Sequence, residues 1–165
     1  MALRDILKWP DTRLKQPCAE VDDPASVEAL VTDLFETMYD APGRGLAAPQ
    51  VGSLVRVFVM DAGWKDGDMA PLAVINPQIL DVSEETSRMD EGCLSIPGVT
   101  APVTRPETVT MVFTDLQGNR VERRFEGAEA RVAQHEYDHL DGLVHFDRMP
   151  PEDAADLMHA YERQS

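Results

Sequence analysis

The six residues Gln134-His135-Glu136-Tyr137-Asp138-His139 constrain the fold more than any other stretch of the chain. On an α-helix, residues four apart sit about 40° apart around the axis and roughly 6 Å apart along it, so both imidazoles can reach one cation. Glu136, beside the first histidine, projects to where a water on that cation would lie and can take its proton. A helix that merely displays two histidines to solvent would match the same letters. The metal reading therefore needs a further ligand from elsewhere in the chain.

The surrounding pattern is that of a mixed fold. Asp23-Pro24, followed by Val27, Leu30, Val31, Leu34, Phe35 and Met38, predicts an amphipathic helix with an N-cap and a first-turn proline, ending near Asp40 before Pro42-Gly43. Residues 55–60 and 72–75 read as strands, and a looser extended segment follows from Gln78 to about Glu84. Residues 108–115 and 120–126 flank Leu116-Gln117-Gly118-Asn119 as a hairpin turning at Gly118. The helix carrying the histidines should run from near Gly127 to near Gly142. Pro150-Pro151-Glu152-Asp153 opens a short last helix with Leu157, Met158 and Tyr161 on one side. The expected class is α+β: mainly antiparallel sheets packed around a central His-Glu-x-x-His helix, with an N-terminal helix and a short C-terminal helix.

Length and charge narrow the function classes. At 165 residues, positions 1–165 are expected to form a single catalytic domain with one substantial core. A formal charge of −15 argues against a nucleic-acid partner, and Arg120, Arg123 and Arg124 are interleaved with Glu122 and Glu126. No run approaches the roughly 20 apolar residues of a membrane span, and Met1-Ala2-Leu3-Arg4-Asp5 does not open a secretory signal. Two cysteines are too few for a disulfide scaffold, so a cytoplasmic location is expected, with Cys18 an ordinary buried thiol.

A catalytic metal usually takes three protein ligands and leaves one position for water. Two residues could be the third. Reading onward, His139-Leu140-Asp141-Gly142-Leu143-Val144-His145 completes a metzincin protease pattern with His145. Cys93, within Glu91-Gly92-Cys93-Leu94-Ser95, is the other.

Three segments taken together resemble the signature motifs of peptide deformylases, in order: Gly43-Arg44-Gly45-Leu46-Ala47-Ala48-Pro49-Gln50, Glu91-Gly92-Cys93-Leu94-Ser95 and the histidine motif. Ile6-Leu7-Lys8-Trp9-Pro10-Asp11 and Ile75-Asn76-Pro77 are also similar to that family, so the resemblance spans nearly the whole chain and favours the shorter bacterial subclass. It implies a hydrolase that removes the formyl group from N-formylmethionyl peptides, with formylated nascent peptides as partners. Cys93, His135 and His139 would be the ligands of one divalent ion, and His145 would be a strand or turn residue after the helix. The resemblance points to Fe²⁺, while Zn²⁺ suits the same donors. Glu136 would act as base and then acid, and the Gln50 side chain and Leu94 N–H would stabilise the oxyanion. Gly43, Arg44, Gly45, Leu46, Ala128 and Val132 would bind substrate, which adds as a strand with main-chain bonds from Gly45 and Leu46. Glu91 and Arg105 would pair to brace the cysteine loop.

The chain departs in places from the pattern of the family it resembles. Arg44 stands where an aliphatic residue is usual, Ala128 where a larger apolar residue lines the methionine pocket, and Thr100 where an arginine is frequent. Glu152, Asp153, Asp156 and Glu162 against Arg163 make the C-terminal segment acidic, which argues against docking to a ribosome. The rival readings are a His145 metalloprotease, and a deformylase-like protein with another acylated substrate or a non-catalytic binding role.

Overall fold

The computed structural model describes residues 2–164. Its elements in chain order are α1 (Glu28–Asp40), β1 (Gly45–Ala47), β2 (Val57–Met60), β3 (Leu72–Val82), β4 (Thr86–Cys93), β5 (Ile96–Pro106), β6 (Thr108–Thr114), β7 (Arg120–Glu126), α2 (Gly127–Leu140) and α3 (Pro151–Gln164). Five strands form one antiparallel sheet in the order β1-β2-β3-β6-β7, and β4 pairs with β5 as a separate hairpin. The α+β architecture is the expected one.

The large sheet is sandwiched between two helices, and β2 shows why. All four of its residues are buried, with Val57 and Val59 facing one way and Phe58 and Met60 the other. A strand alternates its side chains, so four apolar residues in succession demand cover on both faces. On one face α1 supplies it with Leu30, Val31, Leu34 and Met38. On the other, α2 lays Ala130, Ala133 and Leu140 against Phe58, Met111, Phe113 and Phe125. A third cluster joins β5 to α3 and the N-terminal Trp9, through Ile96, Val103, Phe146, Leu157 and Tyr161.

Several boundaries differ from expectation for local reasons. Asp23 does cap, accepting from the Ala25 N–H at 3.1 Å, but over a 3-10 turn (Pro24–Val27) that precedes α1. β3 is one strand where a strand and a looser segment were expected; its register slips between Ile75 and Gln78, where Asn76 has φ +52° and Pro77 cannot donate. The β6–β7 hairpin is as read, its turn closed by the Asp115 carboxylate accepting from Gln117 and Asn119, with Gly118 at φ +87°. The β4–β5 hairpin was not read at all. Its ladder breaks between Glu91 and Cys93, whose partners are Ala101 and Ile96, so residues 97–100 bulge outward.

α2 is central because of what ends it. Gly142 lies two residues past its last turn at φ +78°, with the Lys15 backbone so close that a Cβ would meet it at 2.7 Å. The N-terminal segment then folds back over the helix end, with the Cys18 N–H donating to the Leu140 carbonyl at 2.9 Å. Among the described residues, no helix is long and apolar enough to cross a membrane.

Candidate metal centre

His135 and His139 on α2 reach residues of the β4–β5 hairpin, Glu136 between them turns to β1, and each is buried. Cys93 arrives from the end of β4, and its Sγ stands 3.5 Å from His139 Nε2. One ligand atom from each of Cys93, His135 and His139 lies within 4.8 Å of the other two. Ligands about 2.0–2.3 Å from a shared ion would be spaced in this way. The donor set therefore fits a single divalent cation, with a soft thiolate and two imidazoles suited to iron or zinc. His145 is not in that group. Its ring is edge-on to His135 with centroids 6.0 Å apart, it is 1 % exposed, and among the described residues neither ring nitrogen has a hydrogen-bond partner.

A buried charge network holds this face in place. Glu91 binds His135 Nδ1 through Oε1 at 2.8 Å, which leaves the other ring nitrogen for a cation. Arg105 Nε donates to Glu91 Oε2 at 2.5 Å, and Arg131 Nη1 donates to the same oxygen at 2.6 Å. Arg105 also reaches Asp138 on α2 at 2.9 Å, where Arg148 adds two further bonds. The Glu91–Arg105 pair is as expected, whereas Asp138, Arg131 and Arg148 escaped sequence reasoning. Only a fold that stacks the hairpin on α2 brings them together. Burial works against ionising Glu91, yet the bonds from His135 and Arg105 win and hold its carboxyl well below the usual range.

The remaining titrations follow from burial and neighbours. Burial is the main cause that pushes Glu136 up to about 7, with Glu91 and Asp138 adding to it against His135 and Arg105. Burial, with His135 nearby, holds His139 well below its ordinary value. Burial opposes protonation of His135 too, but bonds to Cys93 and Glu91 overcome it. His145 falls to about 4 through burial and the charge of His135.

Glu136 packs against the backbone of Gly45, where a Cβ would come within 2.6 Å of Oε2, so β1 approaches the carboxylate as only glycine allows. Gln50 is 1 % exposed on the turn after β1 (Ala48–Val51). Its Oε1 accepts from the Ala47 N–H at 3.0 Å and its Nε2 donates to Ser95 Oγ at 3.0 Å, lying 3.7 Å from Cys93 Sγ. The N-terminal segment ties both loops together, the Leu7 N–H bonding the Gln50 carbonyl and the Trp9 N–H the Ser95 carbonyl.

These groups open onto a cleft of about 830 Å³. Gly43, Arg44, Gly45, Leu94, Ala128 and Val132 all line it, as do Gln50 and Glu136. Leu46 does not: its side chain is buried on the α1 side of the sheet. Its main chain is turned inward as well. The Asp61 N–H bonds the Arg44 carbonyl, and alternation along the register makes Leu46–Val59 the next hydrogen-bonded pair, so the outward-facing main-chain groups belong to Gly45.

Residues 3–155 match the family model described as polypeptide deformylase. The peptide deformylase of Afipia carboxidovorans is 47 % identical over 148 residues, covering 89 % of this chain and 86 % of its own. That of Rhodopseudomonas palustris is 43 % identical over 168 residues, covering 99 % and 95 %. Among solved structures, peptide deformylase from Ehrlichia chaffeensis in complex with actinonin superposes with a TM-score of 0.93 at 34 % identity, covering 100 % of this chain and 99 % of that one.

Proposed function

The chain belongs to the polypeptide deformylase family, and on that premise we propose how its own residues divide the work. It is a metal-dependent hydrolase that removes the formyl group from N-formylmethionyl peptides and releases formate. In this reading residues 1–165 act as one catalytic domain, and Cys93, His135 and His139 hold one divalent ion. The ion, when bound, supplies the Lewis acidity that makes water a nucleophile near neutral pH. Fe²⁺ is the ion the resemblance favours, and Zn²⁺ suits the same donors.

Glu136 takes a proton from the attacking water and returns it to the departing peptide nitrogen. The water oxygen adds to the formyl carbon first, and collapse of the oxyanion then breaks the C–N bond, giving formate and a free amine. A buried carboxyl held between the two imidazole ligands is placed for both halves of that task. Gln50 Nε2 and the Leu94 N–H donate to the formyl oxygen as it gains charge. An amide nitrogen carries two donors: one bonds Ser95 Oγ and holds Gln50 in place, and the other, aimed at Cys93 Sγ, would turn to substrate once the thiolate is engaged by the ion. The peptide adds as a strand along the outer edge of β1, where Gly45 offers its main chain, with the methionine side chain toward Ala128 and Val132.

Action on nascent peptides in the cytoplasm accompanies this reading. The acidic α3, with Glu152, Asp153 and Asp156, argues against docking on ribosomal RNA through a basic helix.

The observation that carries the proposal is the meeting of Cys93 Sγ with two imidazoles beside a buried Glu136 at a cleft. Formate release from formyl-Met-Ala-Ser tests it. Glu136→Gln should lower kcat by roughly 10²–10⁴-fold with the metal content per chain unchanged. Full activity in that variant would remove Glu136 as the base. Protein loaded anaerobically with iron should outperform the zinc form; equal rates would count against iron.

A further inference from the structure

Arg44 is the residue at which the cleft of this chain is least like an apolar groove. It is exposed, lines the cleft, and sits next to Gly45, whose main-chain groups face the edge that an incoming peptide strand would use. Arg44 enters none of the ion pairs among the described residues. Two hydrogen bonds hold its backbone to the rim. Its own carbonyl accepts from the Asp61 N–H at 2.9 Å, and the preceding Gly43 carbonyl accepts from Trp64 Nε1 at 2.8 Å. The second bond also draws the short turn Trp64–Asp66 onto this rim, and Lys65 on that turn lines the same cleft. Arg44 thus adds a cation to the rim beside Lys65 and Asp66, in a chain of formal charge −15.

Resting on the deformylase reading, we propose that Arg44 sets a preference for peptides with acidic residues directly after the formyl-methionine. Residues on paired strands that stand opposite one another share a face, and opposite charges there attract while like charges repel. A peptide whose formyl carbon lies at Glu136, against Gly45, brings the residues just beyond the methionine past Arg44. Asp66 and Asp90 also line the cleft, so the sign of the field at the peptide depends on which charge adjoins the bound strand. Arg44, one residue from Gly45, is that charge. The guanidinium can also grip a carboxylate with two parallel bonds, which the Lys65 ammonium cannot.

The test compares kcat/KM for formyl-Met-Glu-Glu-Ser, formyl-Met-Ala-Ala-Ser and formyl-Met-Lys-Lys-Ser on the metal-loaded enzyme, at low and high ionic strength. The readout is the ratio between peptides within one protein, so overall losses in a variant cancel. The glutamate peptide should exceed the lysine peptide by about tenfold at low salt, the sum of attraction in one and repulsion in the other, and the gap should shrink as salt is added. It should reside in KM. Arg44→Leu should bring the ratio close to one, while Arg44→Lys should keep most of it. A ratio unchanged in Arg44→Leu, or a preference for the lysine peptide, overturns the proposal. Failure to release formate from all three peptides would instead overturn the deformylase reading beneath it.

Discussion

Gly45 and His145 show how much single residues decide at this site. A methyl group at position 45 would stand 2.6 Å from the Glu136 carboxylate, inside contact distance, so the carboxylate would have to move. Gly45→Ala should therefore cut kcat by about 10²-fold through misplacement of the base, with the metal content unchanged; near-normal kcat would show that Glu136 tolerates displacement. His145 is the opposite case. It completes a protease-like pattern in sequence, yet among the described residues it lies outside the ligand group. His145→Phe should therefore retain one metal ion per chain, as metal analysis of the purified variant would show. Loss of the ion in that variant would return His145 to the ligand set. The letters alone left Cys93 and His145 as rivals, because spacing along a chain says nothing of which side chain the following turn directs inward.

At the scale of elements, the β4–β5 hairpin and α2 are joined by charge rather than by apolar contact alone. Arg105, 4 % exposed, neutralises Glu91 on its own hairpin and Asp138 on the helix. Arg105→Met should destabilise the fold by about 3–5 kcal/mol in urea unfolding, since two buried carboxylates lose their shared partner. Removing Arg4 from its more exposed pair with Asp33 should cost far less. Equal effects would mean that the network does not join the two elements. Another junction is visible at α1, where the Tyr39 hydroxyl donates to Asp61 at 2.6 Å. Burial, and then the Asp61 carboxylate, push that phenol up to about 12. A raised phenol pKa adds stability that is complete below the ordinary value near 10 and is lost as pH climbs through 12. Ultraviolet titration should find the Tyr39 phenol ionising near 12, and Asp61→Asn should bring it down. An unmoved titration would detach Asp61 from the effect. Helices and the β6–β7 hairpin were legible because their apolar periods and turn residues are local. The β4–β5 hairpin was not. Its run Met89-Asp90-Glu91-Gly92-Cys93 carries no alternation, since its exposed face is a cleft wall and its buried face holds an ion pair.

Across the whole molecule, the site exists because three distant segments meet: β1 with the turn after it, the end of the β4–β5 hairpin, and α2. Sequence named the ligand candidates, the base and the glycine-rich strand, whose residue types are dictated by chemistry. It did not reveal the outer support from Arg131, Asp138 and Arg148, or the N-terminal segment that ties Gln50 to Ser95, since those contacts follow from topology. It also assigned main-chain binding to Leu46, which the strand register turns inward. The central claim is that one thiolate and two imidazoles, from segments far apart in the chain, share one divalent ion. X-ray absorption spectroscopy on protein loaded to one ion per chain tests it most directly. The account expects a shell with one sulfur near about 2.3 Å and two imidazole nitrogens near about 2.0–2.1 Å, the sulfur vanishing in Cys93→Ser. A shell with no sulfur, or with a third imidazole that disappears in His145→Phe, would contradict it.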